Sequence, residues 1–243
     1  MAKQLDYLPL QDFGVNGINT QSNPATLDQT YLTTADNVVM RESGRISFRK
    51  GLKQKVVPTG TAIGSMVEHN DSGTNKIFAS HGTSIYTVDF TSPNAAFPSS
   101  GADVKHTVAN STGNWQFINF NERLHCFHSG IVPQRYDGAL GSGSKWAAFD
   151  NSTKPAGVTT FDPSCGMGYY GRIWCGGVGE GKDVLYYSTL LDGDDFRLNS
   201  ANAGSDGGSI SLRTVWGTDD IVAIAPFYGK IVIFGTNNIA IYD

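Results

Sequence analysis

Charged residues are scarce in this chain: Asp, Glu, Lys and Arg make up 16% of its 243 residues, whereas about 25% is typical of soluble domains. The formal net charge is −4, and the sequence contains no large basic patch. This composition excludes sequence-wide electrostatic attraction to nucleic acid. A surface with so little charge indicates that neighbouring molecules cover much of it.

Cysteines and long apolar runs are scarce as well. The three cysteines, Cys126, Cys165 and Cys175, are odd in number and widely spaced, so they do not indicate a disulfide framework. We expect reduced, mostly buried thiols of an intracellular assembly. The N-terminus lacks the apolar stretch of a signal peptide. No apolar run approaches the roughly 18 residues that cross a bilayer, so we predict no membrane insertion.

Helical periodicity is almost absent, whereas short alternating segments and turn residues are abundant. Four segments repeat one pattern: a basic residue, an alternating apolar strand, a tight turn and a second alternating strand. The basic residues, spaced 47, 49 and 58 positions apart, are Lys76, Arg123, Arg172 and Lys230. A period of about 40–50 residues built from short strands is typical of a β-propeller. The sequence therefore predicts an all-β fold, a β-propeller-like array of three- to four-stranded meander blades.

The N-terminal part has a different pattern. We predict an extended arm ending in a β-hairpin over residues 1–55, followed by a propeller-like β domain of about four blade units over residues 56–243. A predicted strand ends at Asp243, and four units in an open array would leave unpaired strand edges. Either the arm closes the ring, or a neighbour covers the edge, or the native product extends beyond Asp243; we expect the last.

Several segments carry a family resemblance. They lie at residues 13–20, 32–38 and 44–52 near the N-terminus, and at residues 172–175, 185–188, 231–234 and 238–242 farther along. Their patterns resemble the tail nozzle proteins of short-tailed bacteriophages, also called tail tubular protein B, to which the packaged-DNA stabilisation proteins are related. The resemblance is a diffuse pattern over most of the chain, and members of this family are usually much longer.

The resemblance implies a structural role rather than catalysis. Family members form a homohexameric ring in the virion tail, below the portal and adaptor, and the ring provides a gated channel for DNA exit. The implied partners are other copies of the chain, the tail adaptor protein, the tail fibre protein and packaged DNA, which passes without sequence-specific binding. Assembly would take place in the cytoplasm of the host bacterium. No enzymatic activity and no cofactor are implied.

The interface residues are expected in the N-terminal part, because an extended, turn-rich arm has little core of its own. The predicted set comprises Phe13, Val15 and Asn16 in the arm, and Arg41, Arg45, Arg49, Lys50 and Lys53 in and after the hairpin. The basic residues could contact an acidic surface, such as the adaptor ring, or DNA phosphate. The alternative is an ordinary solvated hairpin face.

Three motifs resemble ligand-binding or metal-binding sites, but each lacks residues that such a site requires. Residues 176–182 nearly form a phosphate-binding loop, but Asp183 follows where a hydroxyl is required, and a strand pattern replaces the helix. His125 and His128, three apart on a strand, face opposite sides and cannot share a metal without a bulge. Residues 192–195 begin like a calcium loop but lack the later ligands, which indicates a solvated turn. We predict no catalytic, cofactor-binding or metal-binding residue.

Two other functions remain as alternatives. A carbohydrate-binding or glycan-cleaving β-propeller would need paired acids and an aromatic pocket, for which Trp115, Trp146, Trp174 and Trp216 are available. The apolar neighbours of Trp174, however, predict a core position for it. A monomeric scaffold for protein recognition would need a more charged surface than this composition provides.

Overall fold

The computed structural model describes most of the chain. The described residues are 16–23, 26–28, 30–34, 38–41, 45–48, 56–58, 62–88, 95–97, 104–140, 145–198 and 206–243. The chain divides into two compact units, Met1–Gln54 and Lys55–Asp243, and each is described by itself.

The first unit contains the predicted hairpin. Strand β1 (Val38–Arg41) pairs antiparallel with β2 (Arg45–Phe48), and the register places Arg41 opposite Arg45. Upstream, Ile18 and Leu32 form a parallel bridge. Leu32 N–H donates to the Gly17 carbonyl over 2.8 Å, so two segments of this unit are bonded to each other.

The second unit consists of four antiparallel sheets in chain order, as predicted. Outside them, β3 (Val56–Pro58) pairs in parallel with β7 (Ala95–Phe97). Blade 1 comprises β4 (Ile63–Asp71), β5 (Thr74–His81), β6 (Ser84–Thr87) and β8 (Val104–Thr107). Blade 2 comprises β9 (Gln116–Phe120), β10 (Arg123–His128), β11 (Ile131–Asp137) and β12 (Trp146–Ala148).

The last two blades follow the same meander. Blade 3 comprises β13 (Cys165–Tyr169), β14 (Arg172–Gly176), β15 (Val184–Tyr187) and β16 (Gly208–Ser211). A single-turn helix, α1 (Arg213–Trp216), precedes blade 4, which comprises β17 (Ile221–Phe227), β18 (Lys230–Gly235) and β19 (Ile239–Tyr242). Among the described residues blade 4 therefore has three strands, where each of the others has four.

The repeated basic residue has a structural role in blades 2 to 4. It begins the second strand, and its side chain reaches the end of the third. Arg123 Nε donates to Asp137 over 2.8 Å, Arg172 donates to the Ser188 carbonyl over 2.5 Å, and Lys230 Nζ pairs with Asp243 over 2.7 Å. In blade 1 Lys76 instead pairs with Asp71 and Tyr136. In blades 2 to 4 the repeated basic residue thus bonds the second strand to the end of the third.

Apolar cores lie between consecutive blades. The first strands stand side by side, β4 beside β9, β9 beside β13 and β13 beside β17. Buried side chains from facing strands fill each interval, for example Phe78 and Leu124 between blades 1 and 2, Phe127 and Ile173 between blades 2 and 3, and Leu185 and Ile231 between blades 3 and 4. All three cysteines are free and buried, as predicted. Burial raises the pKa of the Cys165 thiol to about 11.

The array is open at its ends. In the described parts of the chain, β17 of blade 4 makes no contact with β4 of blade 1 comparable to those between consecutive first strands. As far as the structure describes the chain, the four blades therefore form a row in which each end blade has one neighbouring blade.

Candidate interaction surface at the hairpin turns

One tight turn joins the first two strands of every blade, and these turns lie along one edge of the array. Both central residues have positive φ in each of them: Ser72 and Gly73, Asn121 and Glu122, Tyr170 and Gly171, Tyr228 and Gly229. Positive φ at both positions defines a type I′ turn, whose twist suits a two-residue β-hairpin. We call this side of the array the turn edge.

Hydrogen bonds join neighbouring blades at the turn edge. Asn119 Nδ2 donates to the Glu68 carbonyl over 2.8 Å, and Asn121 Nδ2 donates to the Leu191 carbonyl over 2.7 Å. The Tyr170 hydroxyl donates to the Gly229 carbonyl over 3.1 Å. These bonds link each blade to the next along the turn edge.

Two tyrosines occupy unfavourable positions in this surface. Tyr170 and Tyr228 have φ of 49° and 47°, a left-handed conformation that is uncommon for bulky residues and favours Asn, Asp or Gly. Asn121 occupies the corresponding position of blade 2. The tyrosine side chains also gain little burial, since they are 66% and 89% exposed. Neither turn geometry nor core packing explains an aromatic residue at the same position in two adjacent turns.

Other exposed apolar side chains surround these tyrosines. The rings of Tyr169 and Tyr170 lie 4.2 Å apart, and those of Phe227 and Tyr228 lie 4.6 Å apart, between centroids. Leu191 N–H donates to the Gly171 carbonyl over 2.7 Å, which brings the following loop of blade 3 to the same place. We call this patch the aromatic ridge; it comprises the exposed residues Tyr170, Leu190, Leu191, Phe227 and Tyr228 and the half-buried Tyr169. Contiguous exposed apolar patches of this kind mark interaction sites, and aromatic residues are enriched in interfaces.

The other half of the turn edge is polar. A cleft of about 480 Å³ lies between the turns of blades 1 and 2, lined by Glu68, His69, Asn119, Glu122, Arg123 and their neighbours. His69 Nδ1 and Asn119 Oδ1 are 2.7 Å apart, and Asn75 Nδ2 donates to Glu68 over 2.8 Å. Several of the polar groups that line this cleft are therefore hydrogen-bonded to one another.

A charged cluster connects blades 2 and 3 beneath the turn edge. Asp194, in the loop after β15, accepts from Arg123 over 2.9 Å and also pairs with Arg135. His125 Nδ1 lies 3.7 Å from Asp194, and burial lowers the pKa of this imidazole to about 4. The expectation of a solvated turn at residues 192–195 is therefore wrong for Asp194, which joins two blades.

The motifs considered for metal or phosphate are occupied by protein contacts. His128 Nε2 lies 2.8 Å from Thr112 Oγ1, away from the His125 cluster. The described residues contain no group of three or more His, Cys, Asp or Glu that could hold a metal ion. The near phosphate loop is a tight turn in which Gly181 N–H donates to the Val178 carbonyl over 3.0 Å. Strand β15 follows it, so the hairpin-loop interpretation is confirmed.

The predicted interface residues lie in the first unit, and most of their side chains fall outside the described residues. Asn16 is exposed, and its amide donates to Thr30 Oγ1 over 3.1 Å. Arg41, the last residue of β1, is paired in the register with Arg45, the first residue of β2. Phe13, Val15, Arg49, Lys50 and Lys53 lie outside the described residues, so the interface remains a prediction for them.

Sequence reasoning did not predict the aromatic ridge. The two Tyr-Gly turns were visible at equivalent repeat positions, and this was the signal that could have revealed it. The aromatic residues considered for a glycan pocket are placed differently: Trp115, Trp146 and Trp174 are buried, and Trp216 packs against the core between blades 3 and 4.

Comparisons with known proteins show no family to which this chain belongs. No protein-family profile and no curated protein matches the chain. Among solved structures, the chain is similar to one described as a crystal structure of BBS1N in complex with ARL6DN, soaked with mercury, with 11% identity and a TM-score of 0.39. The similarity covers 86% of this chain and 59% of that chain. Within the described residues, no helix has the length and apolarity to cross a membrane.

Proposed function

We propose that this chain is a virion structural protein, a β-propeller subunit of the tail nozzle of a short-tailed phage. It acts through assembly around the DNA-exit channel and performs no chemistry of its own. Its partners are further copies in a homohexameric ring, the tail adaptor above it, the tail fibre protein and the DNA that passes through. The residues that resemble the nozzle family support the proposal from the sequence.

The aromatic ridge is the observation that carries an assembly role. Tyr170 and Tyr228 keep an unfavourable backbone conformation while exposing most of their rings, and backbone strain of this kind is concentrated at functional sites. Exposed tyrosines at the centre of an apolar patch are also the residue type that dominates binding energy in protein interfaces. We therefore assign the ridge to contact with another tail protein.

The basic hairpin of the first unit supports the same role. Arg41 and Arg45 are opposite one another in its register, and both are basic in a chain whose net charge is −4. Such a local charge suits an acidic partner surface, since complementary charges steer and orient protein association.

The test measures binding to a purified portal capped with its adaptor, by co-sedimentation. The double variant Tyr170→Asn and Tyr228→Asn removes both rings and the hydrogen bond from the Tyr170 hydroxyl to the Gly229 carbonyl. It supplies the residue that type I′ turns favour, so the net change in stability should be small. We expect at least about tenfold weaker binding, a typical loss for aromatic interface residues. Leu198→Asn replaces an equally exposed apolar residue outside the ridge and should bind normally.

Other outcomes would contradict the proposal. Unchanged binding by the double variant would exclude the ridge as the contact. A wild-type protein that ignores the portal and adaptor but binds or degrades surface polysaccharide would exclude the nozzle role and favour a glycan-active propeller.

A further inference from the structure

A small cavity lies beside the charged cluster, between blade 2 and the loop that follows β15 of blade 3. It offers about 10 Å³ to the centre of a water molecule, and its lining includes His125, Arg135, Phe149, Gly193 and Phe196. A cavity of about this size holds a single water molecule. A ligand bound in this cavity must therefore be about as small as water.

Two residues that line the cavity each have a buried nitrogen without a partner. His125 Nε2 and Arg135 Nε are buried, and neither atom has a hydrogen-bond partner among the described residues. The rest of each polar group faces Asp194: His125 Nδ1 lies 3.7 Å from its carboxylate, and Arg135 donates to it through Nη1. Buried polar atoms nearly always have a hydrogen-bond partner, counting ordered water. The two nitrogens therefore indicate an occupant of the cavity.

The strand register explains why these two nitrogens lie close together. His125 on β10 is directly opposite Arg135 on β11, and directly opposite residues of an antiparallel pair share one face, with Cβ atoms about 5 Å apart. Phe127, two positions along β10, belongs to the core between blades 2 and 3, so this face is turned toward blade 3. From that side Gly193 approaches the imidazole, and a Cβ at Gly193 would lie 2.8 Å from His125 Nε2. The missing side chain of Gly193 thus leaves space beside the ring.

The protonation of His125 decides which hydrogen bonds the occupant must make. Burial lowers the pKa of His125, so at neutral pH the imidazole is uncharged, with one nitrogen a donor and the other an acceptor. The carboxylate of Asp194 beside Nδ1 favours a proton on that nitrogen, which leaves Nε2 as the acceptor. Arg135 Nε–H can only donate. The occupant must therefore donate to His125 and accept from Arg135.

Water meets both requirements, whereas a small ion does not. An anion such as chloride can accept from Arg135 but has no hydrogen to donate to His125. A cation could contact His125 Nε2, but the positive charges of Arg123 and Arg135 would repel it.

We infer that one buried water molecule bridges His125 Nε2 and Arg135 Nε–H. It links the two middle strands of blade 2 at the place where the loop of blade 3 packs on them, and it holds the proton of the imidazole on Nδ1, toward Asp194. Buried waters of this kind are part of the folded structure. The inference does not depend on the nozzle role.

A high-resolution crystal structure of the whole protein tests the inference directly. We expect one water molecule at about 2.7–3.2 Å from both His125 Nε2 and Arg135 Nε. An empty cavity, or an ion in place of the water, would overturn the inference. Nitrogen-15 NMR at neutral pH gives the tautomer, and we expect the proton on His125 Nδ1; a proton on Nε2 would contradict the proposed hydrogen bonds.

Oxygen-17 relaxation dispersion, which counts long-lived internal water molecules, provides a second measurement in solution. His125→Phe keeps an aromatic ring but removes the acceptor, so we expect one internal water molecule fewer than in the wild type. His128→Phe is the matched control on the same strand. The ring nitrogens of His128 lie 2.8 Å from Thr112 Oγ1 and 2.8 Å from the Ser129 carbonyl oxygen, so this variant should keep the wild-type count. An unchanged count in His125→Phe, or the same loss in both variants, would overturn the inference.

Discussion

Lowering the pH should destabilise the propeller unit through His125. This side chain is 4% exposed and faces Asp194, Asp192, Arg123 and Arg135. Burial disfavours the charged form of the imidazole, and the positive charges of Arg123 and Arg135 disfavour it further. The negative charges of Asp194 and Asp192 favour it, but they do not outweigh burial. The pKa of His125 is therefore lowered from 6.5 to about 4 in the folded protein. At neutral pH the imidazole is uncharged.

The sign of the effect follows from proton uptake. Between pH 6.5 and 4 the unfolded chain binds a proton at His125 that the folded chain does not, so unfolding becomes more favourable as the pH falls. One pKa unit corresponds to about 1.4 kcal/mol. The full difference of about 2.5 units therefore amounts to about 3 kcal/mol, and about 2 kcal/mol of it should be lost between pH 6.5 and 5.

Urea unfolding of the wild type and of His125→Gln, at several pH values in this interval, measures the effect. Glutamine does not titrate, so the variant should lose about 2 kcal/mol less than the wild type as the pH falls from 6.5 to 5. The comparison cancels contributions from the other histidines. Equal pH dependence in the two proteins would refute the reasoning, because it would show that His125 takes up its proton equally well when folded, with Asp194 stabilising the imidazolium.

Two further substitutions test the contacts between blades, both by urea unfolding. Asp194→Ala should lower the free energy of unfolding by about 1–3 kcal/mol, because it removes the acceptor shared by Arg123 and Arg135. Asp195→Ala is the control: its partner Arg197 lies two residues away on the surface, so the loss should be less than about 1 kcal/mol. Equal losses would contradict the assigned role of Asp194. Gly176→Ala would place a methyl group 2.7 Å from Ile221 Cγ2. This overpacking between blades 3 and 4 should lower the free energy of unfolding by about 1–3 kcal/mol. An unchanged free energy would show that the two blades move apart easily.

The elements with local signals could be predicted from the sequence. Each blade hairpin is specified within about a dozen residues by alternation and a turn, which is why the strands on either side of Tyr228 and Gly229 were correctly expected. The role of Asp194 could not be predicted in the same way. Its arginine partners lie 71 and 59 residues away in the sequence, so no local pattern indicates these contacts. The exposed outer face of blade 4, which carries Ile239 and Ile241, could not be predicted either, since apolar alternation indicates a strand but not what packs on each side of it.

The open row of blades has a consequence for how the protein unfolds. When units contact only their sequence neighbours, stability behaves approximately as a sum of nearest-neighbour couplings, and unfolding can begin at an end and proceed inward. Among the described residues, blades 2 and 3 are held from both sides, whereas blade 4 is held by blade 3 alone. In the free monomer the backbone amides of blade 4 should exchange with solvent before those of the central blades. A molecule bound to the outer face of blade 4 would hold this blade from both sides and slow that exchange.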